Sequence, residues 1–95
     1  MTVVQPSVAD TVRRLVITQL DITGPEPRPD EDLRRWGMTS LTCLGLMLSI
    51  EDTFEIELPE DALRQATFRS IDSISAAVES SREQATRIAG EQRKR

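Results

Sequence analysis

The side chain with the clearest chemical potential in this chain is the hydroxyl of Ser40, in the segment Gly37-Met38-Thr39-Ser40-Leu41. An apolar periodicity begins here and predicts a helix over residues 40–54, so Ser40 lies at the start of a helix. Serine and threonine are ordinary N-caps at such a position. Taken alone, the triplet Thr-Ser-Leu therefore favours a capping role over a covalent one.

The composition argues against an independent enzyme. The chain contains no histidine and no tyrosine, so it lacks the commonest general base and cannot form a histidine-dependent hydrolytic triad. Its one cysteine, Cys43, excludes an internal disulfide and a cysteine-rich zinc site. We interpret Cys43 as a small buried apolar residue rather than a reactive thiol. We predict no metal site, because the carboxylates between residues 51 and 61 lack the spacing of a calcium-binding loop.

Two segments flank the serine motif and must position it. Helix I is predicted to begin after Pro6, with Ser7 as N-cap and Asp10 completing a capping-box-like pattern, and to fade near residues 20–22. The following connection, residues 21–38, is rich in proline, which forbids a continuous helix, although a short helical turn fits residues 30–35. We expect three apolar side chains to pin this loop to the core. They are Leu33, Trp36 and Met38.

Helix II has too many apolar residues for one buried stripe. One group is predicted to face the core: Cys43, Leu46, Met47, Ile50 and Phe54. The other group forms a candidate partner surface with an apolar centre, an acidic margin and Thr39 at its start. Its members are Thr39, Leu41, Leu44, Leu48, Glu51, Asp52 and Glu55.

The remaining chain predicts a short helix over residues 60–65 and a last helix capped by Ser70, with Ile71, Ile74 and Val78 on one face. The fold class is therefore all-α, a small bundle of three main helices plus one short helix. We predict a flexible N-terminus at residues 1–6, a bundle at residues 7–79 and a polar, basic extension at residues 80–95.

Charge separates the bundle from the extension. Residues 1–79 hold 14 acidic and 7 basic residues, whereas residues 80–95 hold 2 acidic and 5 basic residues. The acidic bundle should repel nucleic acid and attract basic protein surfaces. No apolar run is long enough for a membrane span, and the N-terminus lacks the pattern of a secretion signal. We therefore expect a cytoplasmic monomer that binds neither nucleic acid nor membrane.

The context of Ser40 resembles that of acyl and peptidyl carrier proteins. Their motif, Gly-x-Asp-Ser-Leu, is typically followed by a helix ending in Phe and then by an Ile-Pro or Leu-Pro pair. Here the segment 37–41 is followed by Phe54, 14 residues after the serine, and by Pro59, 19 residues after it. Residues 57–61 resemble the family's acidic turn, and residues 67–71 resemble the entry to its last helix. The resemblance covers residues 7–79.

The resemblance implies that Ser40 carries 4′-phosphopantetheine, whose thiol holds cargo as a thioester. A helix N-terminus suits this group, because its free N–H groups and positive dipole end favour a phosphate. The implied partners are a phosphopantetheinyl transferase, a loading ligase or acyltransferase, and a synthase or condensing enzyme. Thr39 departs from the usual aspartate, which puts recognition by a general transferase in doubt.

The function that follows is a freestanding acyl or aminoacyl carrier protein, itself not an enzyme, in polyketide or nonribosomal-peptide biosynthesis. Helix II supports a specialised pathway, since Thr42, Gly45 and Ser49 stand where a fatty-acid carrier is expected to have acids. The alternatives are a carrier of primary fatty-acid synthesis and an unmodified helical adaptor. In the adaptor, Ser40 would be only an N-cap.

Overall fold

The described part of the chain is helical throughout its regular structure. The computed structural model describes residues 7–59 and 66–92, and the side chains as far as residue 83. Within these ranges the elements are α1 (Val8–Gln19), a 3₁₀ helix (Leu33–Trp36), α2 (Ser40–Phe54) and α3 (Ile71–Gln92). This confirms the predicted all-α bundle, while the short helix predicted over residues 60–65 lies outside the described residues. None of these helices is both long and apolar enough to cross a membrane.

Helix α1 packs against both α2 and α3. Ser7 caps its first turn as predicted, since the Asp10 N–H donates to Ser7 Oγ over 3.1 Å. The return hydrogen bond from the Ser7 N–H to the Asp10 side chain is not among those of the described residues, so Asp10 does not complete the predicted capping-box-like pattern. The Asp10 carboxylate lies 3.3 Å from the guanidinium of Arg13. Val12 and Val16 are fully buried one turn apart, so this face of α1 packs on the core.

One apolar core joins the three helices, the loop and the segments around α3. Leu33, Leu58 and Phe68 come from outside the long helices, which shows that the connections also supply core residues. The buried core residues are Val12, Val16, Leu33, Leu46, Ile50, Leu58, Phe68, Ile71, Ile74 and Val78.

The proline-rich loop between α1 and α2 is held at two points by backbone hydrogen bonds, one to the segment just before α3 and one to the first turn of α3. The Leu33 N–H donates to the Arg69 carbonyl over 2.7 Å, and the Asp72 N–H donates to the Pro29 carbonyl over 2.9 Å. The short helical turn lies at Leu33–Trp36, slightly later than predicted, because Asp32 caps it by accepting the N–H of Arg34.

Two of the three predicted loop pins reach the core. Leu33 is completely buried, and Met38 packs against the core at the entry to α2. Trp36 is only half-buried and is not among the side chains packed on the core, so that part of the prediction is wrong. In a 3₁₀ helix, residues three apart lie on the same face, so Trp36 is on the side of Leu33 but one turn, about 6 Å, further along the axis, beyond the side chains that pack on the core.

Ser70 caps α3 as predicted, and Ser73 caps Ser70 in return. Ser70 Oγ accepts the Ser73 N–H at 3.1 Å, and Ser73 Oγ accepts the Ser70 N–H at 3.0 Å. The helix continues without a break to Gln92, and Ser81 is still buried. The domain boundary that we predict after residue 79 therefore falls inside a continuous helix.

Candidate functional site

The entry to α2 is closed by a capping box of two threonines. Thr39 has extended backbone angles, φ −124° and ψ 176°, and its Oγ1 accepts the Thr42 N–H at 3.2 Å. In return Thr42 Oγ1 accepts the Thr39 N–H at 2.7 Å. Thr39 is thus the N-cap, and the reading of Ser40 as merely a cap is wrong, because Ser40 already has helical geometry.

The Ser40 side chain is exposed at the first position of α2. Among the hydrogen bonds of residues 7–59 and 66–83, none uses its hydroxyl. Gly37, with φ 98°, turns the chain between the 3₁₀ helix and α2, a conformation that L-residues rarely adopt. The local geometry therefore leaves the hydroxyl accessible and free to react.

The electrostatic surroundings of Ser40 suit a phosphate. The first turn of α2 has no acidic residue, so nothing within that turn offsets the positive end of the helix dipole. A phosphodiester on the serine oxygen would lie beside the N–H groups of Ser40 and Leu41, since Thr39 already accepts the N–H of Thr42. The residues present therefore fit a phosphate-linked group.

The arginines before the motif are held or exposed rather than aimed at Ser40. Arg34 Nη2 lies 2.7 Å from Asp32 Oδ2, and its Nε also contacts that carboxylate. The Arg34 side chain, followed by its backbone N–H, lowers the pKa of Asp32 to about 2. Arg35 is exposed. Arg34 thus orders the loop through its ion pair with Asp32.

The two faces predicted for α2 separate as expected. Leu46 and Ile50 are completely buried, and the other predicted core residues of this helix pack against them in part. On the opposite side, Leu41 is 79% exposed, Leu44 51% and Leu48 55%. Such a row of exposed leucines is uncommon on a small domain without a partner. Its role as a partner surface stays a prediction.

The three predicted acidic residues at the end of α2 have different surroundings. Asp52 is exposed, and Glu55 is exposed while capping the helix in the left-handed conformation, with φ 54° and ψ 49°. Glu51 is half-buried, and its Oε2 accepts the Leu58 N–H at 3.0 Å. Sequence reasoning missed this hydrogen bond, because the seven-residue separation depends on the turn that follows the helix.

Two further residues of α2 have structural explanations. Cys43 is half-buried, and burial raises the pKa of its thiol, which agrees with its reading as a small apolar residue. Gly45 faces the end of α1, where an added Cβ would come within 2.5 Å of the Gln19 side-chain amide. Among the described residues, no three histidine, cysteine or acidic side chains are grouped in a way that could hold a metal ion.

Comparison with known proteins bears on this site. A family model described as a phosphopantetheine attachment site matches residues 10–78. The aminoacyl carrier protein of Agrobacterium fabrum (strain C58) is 39% identical over 49 residues, which is 52% of this chain and 59% of that protein. The match thus spans less than two thirds of that relative's length.

Proposed function

The chain belongs to the phosphopantetheine-attachment family of carrier proteins, and from that premise we propose that Ser40 is the residue that carries 4′-phosphopantetheine. The observation that carries this proposal is that the N-cap of α2 and the exposed serine are two different residues. Thr39 caps the helix, which leaves the Ser40 hydroxyl exposed and without a hydrogen bond among the described residues. Ser40 is not needed as a cap, because Thr39 already has that role.

The chain's own residues would bind and orient the group rather than perform chemistry. The first N–H groups of α2 would stabilise the phosphodiester, and Gly37 and Thr39 would fix the direction in which the arm leaves the helix. The bound group supplies a terminal thiol that holds acyl cargo as a thioester. In this function the protein is a substrate for partner enzymes and not an enzyme itself.

We further propose that the cargo is an acyl or aminoacyl group of a specialised pathway of polyketide or nonribosomal-peptide type. The similarity to a protein named as an aminoacyl carrier supports the aminoacyl class. The partners would be a phosphopantetheinyl transferase, a loading ligase or acyltransferase, and a synthase or condensing enzyme. They would meet Leu41, Leu44 and Leu48, whose exposure supports an apolar contact beside the serine.

The test of the attachment site is intact mass after incubation with coenzyme A and a broad-specificity transferase. We expect one phosphopantetheine on the parent protein and none on Ser40→Ala. Ser80→Ala, which alters an exposed serine on α3, is the matched control and should be modified like the parent. Modification of Ser40→Ala would refute the assignment.

An unmodified parent protein would call for a second variant. Thr39→Asp restores the carboxylate that carrier proteins usually present before the serine. Modification of this variant alone would show that Thr39 prevents recognition by that transferase. If neither protein is modified by the broad-specificity transferase or by one from a specialised pathway, the covalent role of Ser40 fails and the adaptor function gains support.

A further inference from the structure

The backbone carbonyl and the side-chain carboxylate of Glu51 both accept hydrogen bonds from the turn after α2. The Glu51 carbonyl accepts the backbone N–H of Glu55, and it also accepts the Ile56 N–H at 3.1 Å. Its carboxylate accepts the Leu58 N–H at 3.0 Å. One residue of the last helical turn therefore accepts hydrogen bonds from three residues of the segment that follows α2.

The hydrogen bond to Leu58 matters because of where Leu58 lies. Leu58 is only 7% exposed and belongs to the core, so its side chain fixes the turn from one side and its N–H fixes it from the other. An N–H at such a position that loses its partner destabilises the local structure. The Glu51 carboxylate is thus committed to an internal contact.

The charge of Glu51 is not itself favoured by this position. It lies near the C-terminus of α2, where the helix dipole disfavours an anion, and three other carboxylates are close in sequence. The others are exposed: Asp52, Glu55 and Glu57. The internal hydrogen bond of Glu51 indicates that this residue fixes the conformation of the turn. The exposed acids around it are available for contact with a partner.

We propose that Glu51 is a positioning residue, which ties the turn 55–59 to α2 and so presents Asp52, Glu55 and Glu57 as one acidic surface to a basic partner enzyme. This rests on the proposed carrier function, in which a partner that reaches Ser40 docks along α2 as far as the turn that follows the helix. Arginine and lysine side chains on the partner would complement the exposed acids and raise the rate of association. Glu51 itself would not contact the partner.

Two variants separate the effect of the Glu51 charge from the effect of its hydrogen bond to the Leu58 N–H. Glu51→Gln removes the charge and keeps an oxygen acceptor at the same distance, whereas Glu51→Asp keeps the charge and withdraws the carboxylate by about 1.5 Å. That withdrawal takes a 3.0 Å contact beyond hydrogen-bonding range. Asp52→Asn is the matched control, because it neutralises an exposed neighbour.

The first measurement is amide hydrogen exchange at Leu58 in the unmodified proteins, followed by NMR. We expect Glu51→Gln to keep the protection of Leu58 within about twofold, and Glu51→Asp to lower it roughly 5- to 30-fold. Equal protection of Leu58 in Glu51→Asp and the parent would overturn the positioning role. This measurement needs no partner, so it stands even if the proposed function fails.

The second measurement is the rate of modification by a transferase with a basic docking surface, at low and high salt. We expect Asp52→Asn to slow modification at low salt and reduce its salt dependence, while Glu51→Gln stays closer to the parent. Glu51→Asp should slow modification although its charge is intact. A Glu51→Gln protein that is slowed as much as Asp52→Asn would overturn the proposal, because Glu51 would then act through its charge. Absence of modification in every protein would count against the carrier function and not against the turn.

Discussion

The capping box at the start of α2 predicts that two adjacent hydroxyl residues affect stability in opposite directions. Thr39→Ala removes the oxygen that accepts the Thr42 N–H, so the first turn of α2 loses its cap. Ser40→Ala removes a hydroxyl that makes no hydrogen bond among the described residues and introduces the best helix-forming residue.

The magnitudes follow from the surroundings of each side chain. Loss of a threonine cap costs about 0.5–2 kcal/mol, and the exposed position of Thr39 favours about 1 kcal/mol, because water can replace part of the lost hydrogen bond. The reciprocal bond from the Thr39 N–H to Thr42 Oγ1 survives the substitution. Ser40→Ala should raise the free energy of unfolding by up to about 0.5 kcal/mol. The free energies of unfolding of the two variants should therefore differ by about 1.5 kcal/mol.

The assay is urea unfolding of the unmodified proteins, followed by circular dichroism. With a denaturant slope of about 1 kcal/mol/M for a domain of this size, the midpoints of the two variants should differ by about 1.5 M. Thr53→Ala, an exposed threonine in the last turn of α2, is the control for loss of a hydroxyl without loss of a cap. If Ser40→Ala is destabilised by about 1 kcal/mol while Thr39→Ala is unchanged, the capping assignment is refuted.

Three further predictions concern single positions. Thr39→Asp should raise the free energy of unfolding of the unmodified protein by about 0.5 kcal/mol, since aspartate is a better cap and its charge faces the positive end of α2. It should also speed modification of Ser40 by a generic transferase, and equal rates in timed intact-mass measurements would contradict this. Glu55→Gly should raise the unfolding free energy by about 0.5–1 kcal/mol, because a left-handed conformation costs glycine nothing, and should slow partner association at low salt. A variant that is more stable but binds its partner at the parental rate would exclude Glu55 from the docking surface. For Asp32, the pKa of about 2 lies below the ordinary value of 3.8, so its stabilising effect is present above pH 4 and is lost as the pH falls from about 4 to about 2. Asp32→Asn should flatten this part of an acid-unfolding profile, and identical profiles would argue against the pair with Arg34.

The helices were predictable because each begins with a strong local signal. Ser7 and Ser70 cap α1 and α3 as their sequences predict, and the two faces of α2 follow from a period of 3.6 residues. These signals act over three or four residues, so no tertiary information is needed to read them. The end of α3 is different, because its helix continues past the last apolar residue of the predicted face.

The details of the site could not be read in the same way. Thr39 and Ser40 are both good caps by type, and only the extended backbone of Thr39 decides between them. Likewise, the inward contact of Glu51 depends on Glu55 adopting a left-handed conformation, which a sequence signals only when glycine or asparagine is present. The apolar size of Trp36 predicts that it lies in the core, but the sequence does not show how far along the short helix the core extends.

The two backbone hydrogen bonds that join the loop to α3 have a consequence for folding. They connect Leu33 with Arg69 and Pro29 with Asp72, partners that are far apart along the chain. The final conformation of the loop before Ser40 therefore requires contacts with residues 69 and 72, so its formation depends on non-local contacts. A fragment that ended before residue 66 would keep the serine and its whole motif, yet it would lose both anchors of the loop that leads into it. The segment around Ser40 is thus short in sequence, but its conformation depends on contacts with the C-terminal half of the bundle.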